Sequence, residues 1–369
     1  MKDRLLVLMV ILCIMIFTIP VYAYEITDIK PEGAESIEED IRAIMPEDAA
    51  GLLKKDVRTI HASDWLSCLL TMMKDSAFPA LRSLVRLFGM LIILSLAAAL
   101  KEGILSSGLN AVLDFLSLTA MALMTYELLI NLWNECTSAI ENMSLFMNAL
   151  LPIITALYAL GGNTAAAASS HAALMALMTV IEQLIAGGLM PALKLCFGLA
   201  LAECCGGLDL SGIGALLRHS FIVLLSFVMT IMMVILGYQS TLSASADNLA
   251  ARTVKFAAGN LIPVVGGVLG DAVRTVAGSL QWIRTQAGIL ALLAVLLTAL
   301  PVLIKLLLYR VVLSMTSAVS GMIGLNREKN FLGSIRDLTG LGIAAVSSCA
   351  VVFIFDIALF IRCAIAYSA

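Results

Sequence analysis

NLIPVVGGVLGD, residues 260 to 271, is apolar enough to enter a bilayer, yet Pro263, Gly266, Gly267 and Gly270 oppose a continuous helix through it. Proline removes an amide donor and crowds the preceding turn, and glycine leaves the backbone too free. In lipid, a broken backbone is tolerated only where protein or a water-filled cavity satisfies its exposed polar groups. The segment, with Ile262, Val264 and Val265 as its apolar surface, therefore reads either as the lining of a pathway or as a packed joint. Its flanks are polar at helical spacing. Asn248, Arg252, Lys255 and Gly259 share one face before it, and Asp271, Arg274, Gly278 and Gln281 share one after it. Two amphipathic arms meet at a Pro/Gly elbow.

Composition sets the solvent in which that elbow works. The chain is 61% hydrophobic and only 13% charged, which excludes a soluble enzyme and indicates an all-α, polytopic membrane helix bundle with the lipid bilayer as its surroundings. The formal charge of -3 conceals an asymmetry, since residues 24–80 carry twelve Asp/Glu against six Lys/Arg. No basic patch with interleaved aromatics occurs, so nucleic acid is not an expected partner. The eight cysteines are scattered through or beside apolar segments, apart from Cys68 in the polar region and the adjacent Cys204 and Cys205. They make neither a metal motif nor a disulfide framework and act as small hydrophobes.

Three regions follow. Residues 1–23 have the form of a signal peptide: Lys2 and Arg4, an apolar run from Leu5 to Ile19, then Pro20 and a small residue at Ala23. An uncleaved first anchor is the alternative. Residues 24–80 form an extracytoplasmic acidic segment with short amphipathic helices expected between Leu52 and Met73. Residues 81–369 form the transmembrane domain, with apolar runs at Leu84–Leu100, Asn110–Leu132, Met143–Leu160, Ala172–Met190, Leu193–Leu217, Ser220–Tyr238, Ala287–Ile304, Leu306–Leu325 and Leu338–Arg362.

Four prolines inside these runs suggest a duplication. Pro152 and Pro191 are 39 apart, Pro263 and Pro301 are 38 apart, and the pairs are offset by 111 and 110. Pro191-Ala192-Leu193-Lys194 matches Pro301-Val302-Leu303-Ile304-Lys305 in this register, and Ser211-Gly212-Ile213-Gly214 matches Ser320-Gly321-Met322-Ile323-Gly324. Residues 111–218 and 221–327 are read as two diverged copies. The connection expected at Asn131–Asn142 holds Glu135 and Glu141, whereas its counterpart at Ser240–Phe256 holds Arg252 and Lys255. The positive-inside rule then predicts inverted repeats and about eight spans, with the first proline segment of each copy broken or re-entrant.

Thr253 and Lys255, followed by Leu261-Ile262-Pro263-Val264-Val265-Gly266-Gly267 and then Asp271, Val276 and Gly288, resemble the stage III sporulation protein AE family of endospore-forming bacteria. Where that family often has a Lys-Asn pair, this chain has Arg284-Thr285-Gln286. The resemblance implies a non-enzymatic subunit of a channel or secretion complex joining mother cell and forespore and required for late forespore gene expression. It would sit in the mother-cell membrane facing the forespore, with other membrane proteins of the stage III complex as partners. The family offers no catalytic residues to carry over.

The remaining candidates are polar groups in apolar runs: Glu127, Glu182 and Gln183, with Glu182 expected to line a pathway or to pair with Lys194 or Lys305. Asp114, Glu203 and Asp356 read as interfacial. Gly340, Ala344 and Ser348 form a small-residue stripe suited to close helix packing. His61, His171 and His219 are isolated, so no metal or other cofactor is expected. No phosphate-cradling Gly-rich loop occurs, so an energised complex would need a separate ATPase subunit. A secondary transporter or permease for a small solute is the competing reading, on broken helices and buried acids.

Overall fold

The computed structural model describes residues 62–104, 107–160, 164–206, 211–261 and 266–362, all helical apart from the turn at 323–325. In order, the helices are α1 (Ala62–Ile104), α2 (Ser107–Leu160), α3 (Thr164–Gln183), a π-helical turn (Leu184–Leu189), α4 (Met190–Gly206), α5 (Ser211–Leu261), α6 (Gly266–Met322) and α7 (Asn326–Arg362). By length and composition, five stretches suffice to cross a bilayer: Thr71–Ala99, Val112–Leu160, Gly212–Tyr238, Gly278–Met322 and Asn326–Ile361. The protein is thus an all-helical, multi-pass membrane protein. The signal peptide and most of the acidic segment, residues 1–61, lie outside the described residues.

The helices are fewer and longer than the apolar runs predict. Pro152 and Pro301 both sit inside continuous helices of 54 and 57 residues, so neither run is broken there. The expected pair Ala287–Ile304 and Leu306–Leu325 is one rod, and the expected connection Asn131–Asn142 is mid-helix in α2. Its counterpart at Ser240–Phe256 lies within α5, and the polar stretch Asn326–Asp337 is the start of α7. The inverted orientation therefore loses the two loops on which its charge argument rested. Packing explains why Pro152 is absorbed: Leu150, Leu151, Ile154 and Leu157 around it are buried, and that burial outweighs one missing backbone hydrogen bond. Pro191 acts differently. The Gly187-Gly188 pair before it lets the helix widen into the π turn, which relieves the clash between the proline ring and the preceding carbonyls.

An ideal α2 of 54 residues is about 81 Å long, far more than the roughly 30 Å hydrocarbon core. Its two halves have different surroundings. Val112, Phe115, Leu116 and Leu123 are exposed as a lipid-facing side, whereas Phe146, Met147 and Leu150 are buried among other helices. The same outward apolar surface runs along α1 (Phe78, Leu81, Val85, Ile92) and α5 (Val223, Leu224, Phe227, Val234). Such residues are stable outside because their solvent is lipid.

α7 is the central rod, touching α2, α4, α5 and α6. Its hairpin with α6 turns at Gly324, whose φ of 87° is the left-handed conformation that favours glycine. The amides of Gly324 and Leu325 donate to the carbonyls of Gly321 and Ser320, at 3.4 and 3.0 Å, which caps α6 in a Schellman motif. Along the hairpin, a Cβ on Gly342 would lie 3.1 Å from Cys136 Sγ and 3.4 Å from Leu306. Gly342 thus brings three helices together, and Gly340 of the predicted stripe also packs closely on α6, where a Cβ would lie 3.1 Å from Arg310 Nη1. Asp356, read as interfacial, is buried at 7% exposure.

Gly288 marks the closest approach of α6 and α7, because a Cβ there would collide with Cγ1 of Ile361 and lie 2.7 Å from its Cδ1. Gly288→Ala is expected to destabilise the protein in detergent by about 1–3 kcal/mol, the cost of overpacking. Shortening the opposing side chain with Ile361→Ala in the same protein should recover much of that loss in thermal melts.

Candidate functional site

Three helices bring charged side chains together between otherwise apolar faces. On α2, Glu127, Asn131, Asn134 and Glu135 fall at i, i+4, i+7 and i+8, the spacing of one helical face. Arg82 and Arg86 stand one turn apart on α1, and Lys305 and Tyr309 do so on α6. All of them line a single cleft of about 690 Å³, together with Phe78, Pro79, Ser83 and Leu87. Lys305 Nζ donates to Glu135 Oε1 and forms the ion pair that closes α6 onto α2. Both partners are partly buried, which strengthens their attraction relative to open water. Ser83 Oγ reaches the Pro79 carbonyl at 3.0 Å and the Tyr309 hydroxyl at 3.4 Å, tying α1 to α6 beside the pair. Arg82 rests over the Phe78 ring, 5.7 Å from its centroid.

A second polar contact lies at the turn end of the bundle. There Ser117 Oγ donates to Glu328 Oε1 at 3.0 Å, and Arg327 Nη1 stands 3.9 Å from Asp114 Oδ2. Glu328 is in the first turn of α7, where a carboxylate favours the positive end of the helix dipole.

At the other end, Arg284 is wholly buried on α6. Its Nη2 donates to the Leu157 carbonyl at 3.0 Å, and its guanidinium lies 5.0 and 5.6 Å from the ring centroids of Tyr158 and Phe360. One turn earlier, Gln281 Nε2 donates to the Ile361 carbonyl at 3.5 Å. Leu157 lies in the last turn of α2, and Ile361 lies at the end of the described part of α7. Arg284 thereby caps the C-terminus of α2, where a cation also suits the dipole, while Gln281 ties α6 to α7.

The elbow bears on this region only in part. Ile262, Pro263, Val264 and Val265 lie outside the described residues. Arg252 and Lys255 are in the final turns of α5, and Gly266, Gly267, Gly270, Asp271 and Arg274 are in the opening turns of α6, with side chains likewise outside the described set. α5 stops at Leu261 and α6 begins at Gly266. Glu127 is in the cleft. Glu182 and Gln183 close α3 immediately before the π turn; Gln183 is exposed, and the Glu182 side chain is outside the described set. Lys305, proposed from sequence as a partner for Glu182, pairs with Glu135 instead. Among the described residues, no three His, Cys, Asp or Glu are placed to hold a metal. Sequence reading missed the cleft because Asn131 to Glu135 was assigned to a loop. The four-residue polar stripe was the available signal.

The ion pair can be measured directly. Glu135→Gln and Lys305→Met should each destabilise the protein more than their combination implies, with a coupling on the order of 1 kcal/mol in a double-mutant cycle. Arg284→Met should cost more, about 2 kcal/mol, because it removes a charged donor from a buried carbonyl.

The profile of the family described as stage III sporulation protein AE matches residues 47–364. The chain is 26% identical over 292 residues to the stage III sporulation protein AE of Bacillus subtilis (strain 168), covering 76% of this chain and 71% of that one. No solved structure matches. With a match across most of its length, this membrane protein belongs to the stage III sporulation protein AE family.

Proposed function

We propose that the protein is a non-enzymatic membrane subunit of the stage III sporulation channel or secretion complex, placed in the mother-cell membrane facing the forespore and required for late forespore gene expression. Family membership over residues 47–364 carries the reading and supports a role in sporulation. The lipid-facing sides of α1, α2 and α5 fit a bilayer subunit. In this reading the work of the chain is assembly, and energy comes from a separate ATPase subunit.

A secondary transporter for a small solute is the second reading, favoured by the Lys305–Glu135 pair in an open cleft and by the π turn beside Glu182. The two separate cleanly. Site-specific crosslinking from Val264 and Val268 in sporulating cells should capture other membrane proteins of the stage III complex, and the protein alone in liposomes should move no solute. Ion-coupled uptake by the protein alone, abolished by Glu182→Gln, would replace the first reading with the second.

A further inference from the structure

We infer that the cleft between α1, α2 and α6 binds the phosphodiester headgroup of an anionic glycerophospholipid. The outward side of α1 carries exposed Phe78, Leu81 and Val85 and is lipid-facing at the level where Arg82 and Arg86 also stand exposed. Two guanidinium groups in such surroundings are costly without an anion. Among the described residues neither has a carboxylate partner within ion-pair distance. Both line the cleft.

Charge within the cleft fits one negative ligand. Its walls carry three bases, Arg82, Arg86 and Lys305, and two acids, Glu127 and Glu135. Lys305 and Glu135 satisfy each other, leaving two arginines facing Glu127, a surplus of one positive charge. A phosphodiester carries one negative charge and offers oxygens that match the arginine fork. Glu127, Asn131 and Asn134 on the opposite wall are exposed and suited to hydroxyl groups on the headgroup.

The rim decides between a lipid and a free phosphate. Phe78, Leu87, Met124 and Leu128 also line the cleft, with Phe78 and Met124 open to the lipid-facing side. A charged head and an apolar tail would each meet matching surface, whereas inorganic phosphate would leave that rim unused. Basic pockets between transmembrane helices are a recurrent chemical solution for holding lipid headgroups. The inference stands whether or not the chain assembles with a sporulation complex.

The test uses the full chain in mild detergent, incubated with phosphatidylglycerol or with phosphatidylcholine and examined by native mass spectrometry. Wild type should retain phosphatidylglycerol about tenfold more than phosphatidylcholine, and Arg82→Gln/Arg86→Gln should bring that ratio close to one. Arg218→Gln, on a helix that does not line the cleft, should leave the ratio unchanged. Thermal melts confirm that the double variant is folded; should it fail to fold, the single variants must each lower the ratio. Undiminished retention in the arginine variants would overturn the proposal. So would displacement of the lipid by an equal concentration of inorganic phosphate.

Discussion

The last carbonyls of a helix are the hardest backbone groups to place in an apolar bundle, and α2 ends beside a buried arginine of α6. Arg284 reaches the final turn of α2 while Gln281, one turn away, reaches the Ile361 carbonyl of α7. Water is not at hand to satisfy such groups inside a membrane protein, so the donors must come from the fold. Because both donors belong to α6, that helix is fastened to α2 and α7 at one level. Gly288 then lets α6 and α7 touch at Ile361, and the same pair turns back on itself at Gly324. The Tyr158 and Phe360 rings, packed edge to face at 5.4 Å between centroids, flank the guanidinium and keep its surroundings dry.

The helical class and the lipid environment were legible in composition and hydropathy, because nothing but a helix satisfies a backbone through so many apolar residues. The number and length of the helices were not. Proline is a local signal, but its outcome depends on what surrounds it. Pro152 and Pro301 remain in unbroken helices, whereas Pro191 follows a π turn where two glycines make widening cheap. Charge misled in a related way. Glu135 looked like a loop residue because its partner, Lys305, is 170 positions away in sequence. Arg284 entered the sequence reading only as a departure from a family pattern, since an isolated arginine does not announce the carbonyl it will cap. The polar stripe of Glu127, Asn131, Asn134 and Glu135 was visible in principle, as a helical period running through residues assigned to a connection.

The candidate sites thus divide by kind. The cleft joins side chains from three helices and has the charge and opening of a ligand site. The elbow lies between the end of α5 and the start of α6, and its residues 262–265 fall outside the described set.

α2 and α6 run antiparallel and are joined at two distant places, Glu135 to Lys305 and Leu157 to Arg284. The intervals are 22 residues on one helix and 21 on the other, about 33 and 32 Å of ideal helix, so the two fastenings are nearly in register. A pair of rods pinned twice can neither slide along each other nor swivel about a single point. What is left to the pair is bending between the pins, where Pro152 on one helix and Pro301 on the other each lack a backbone amide donor.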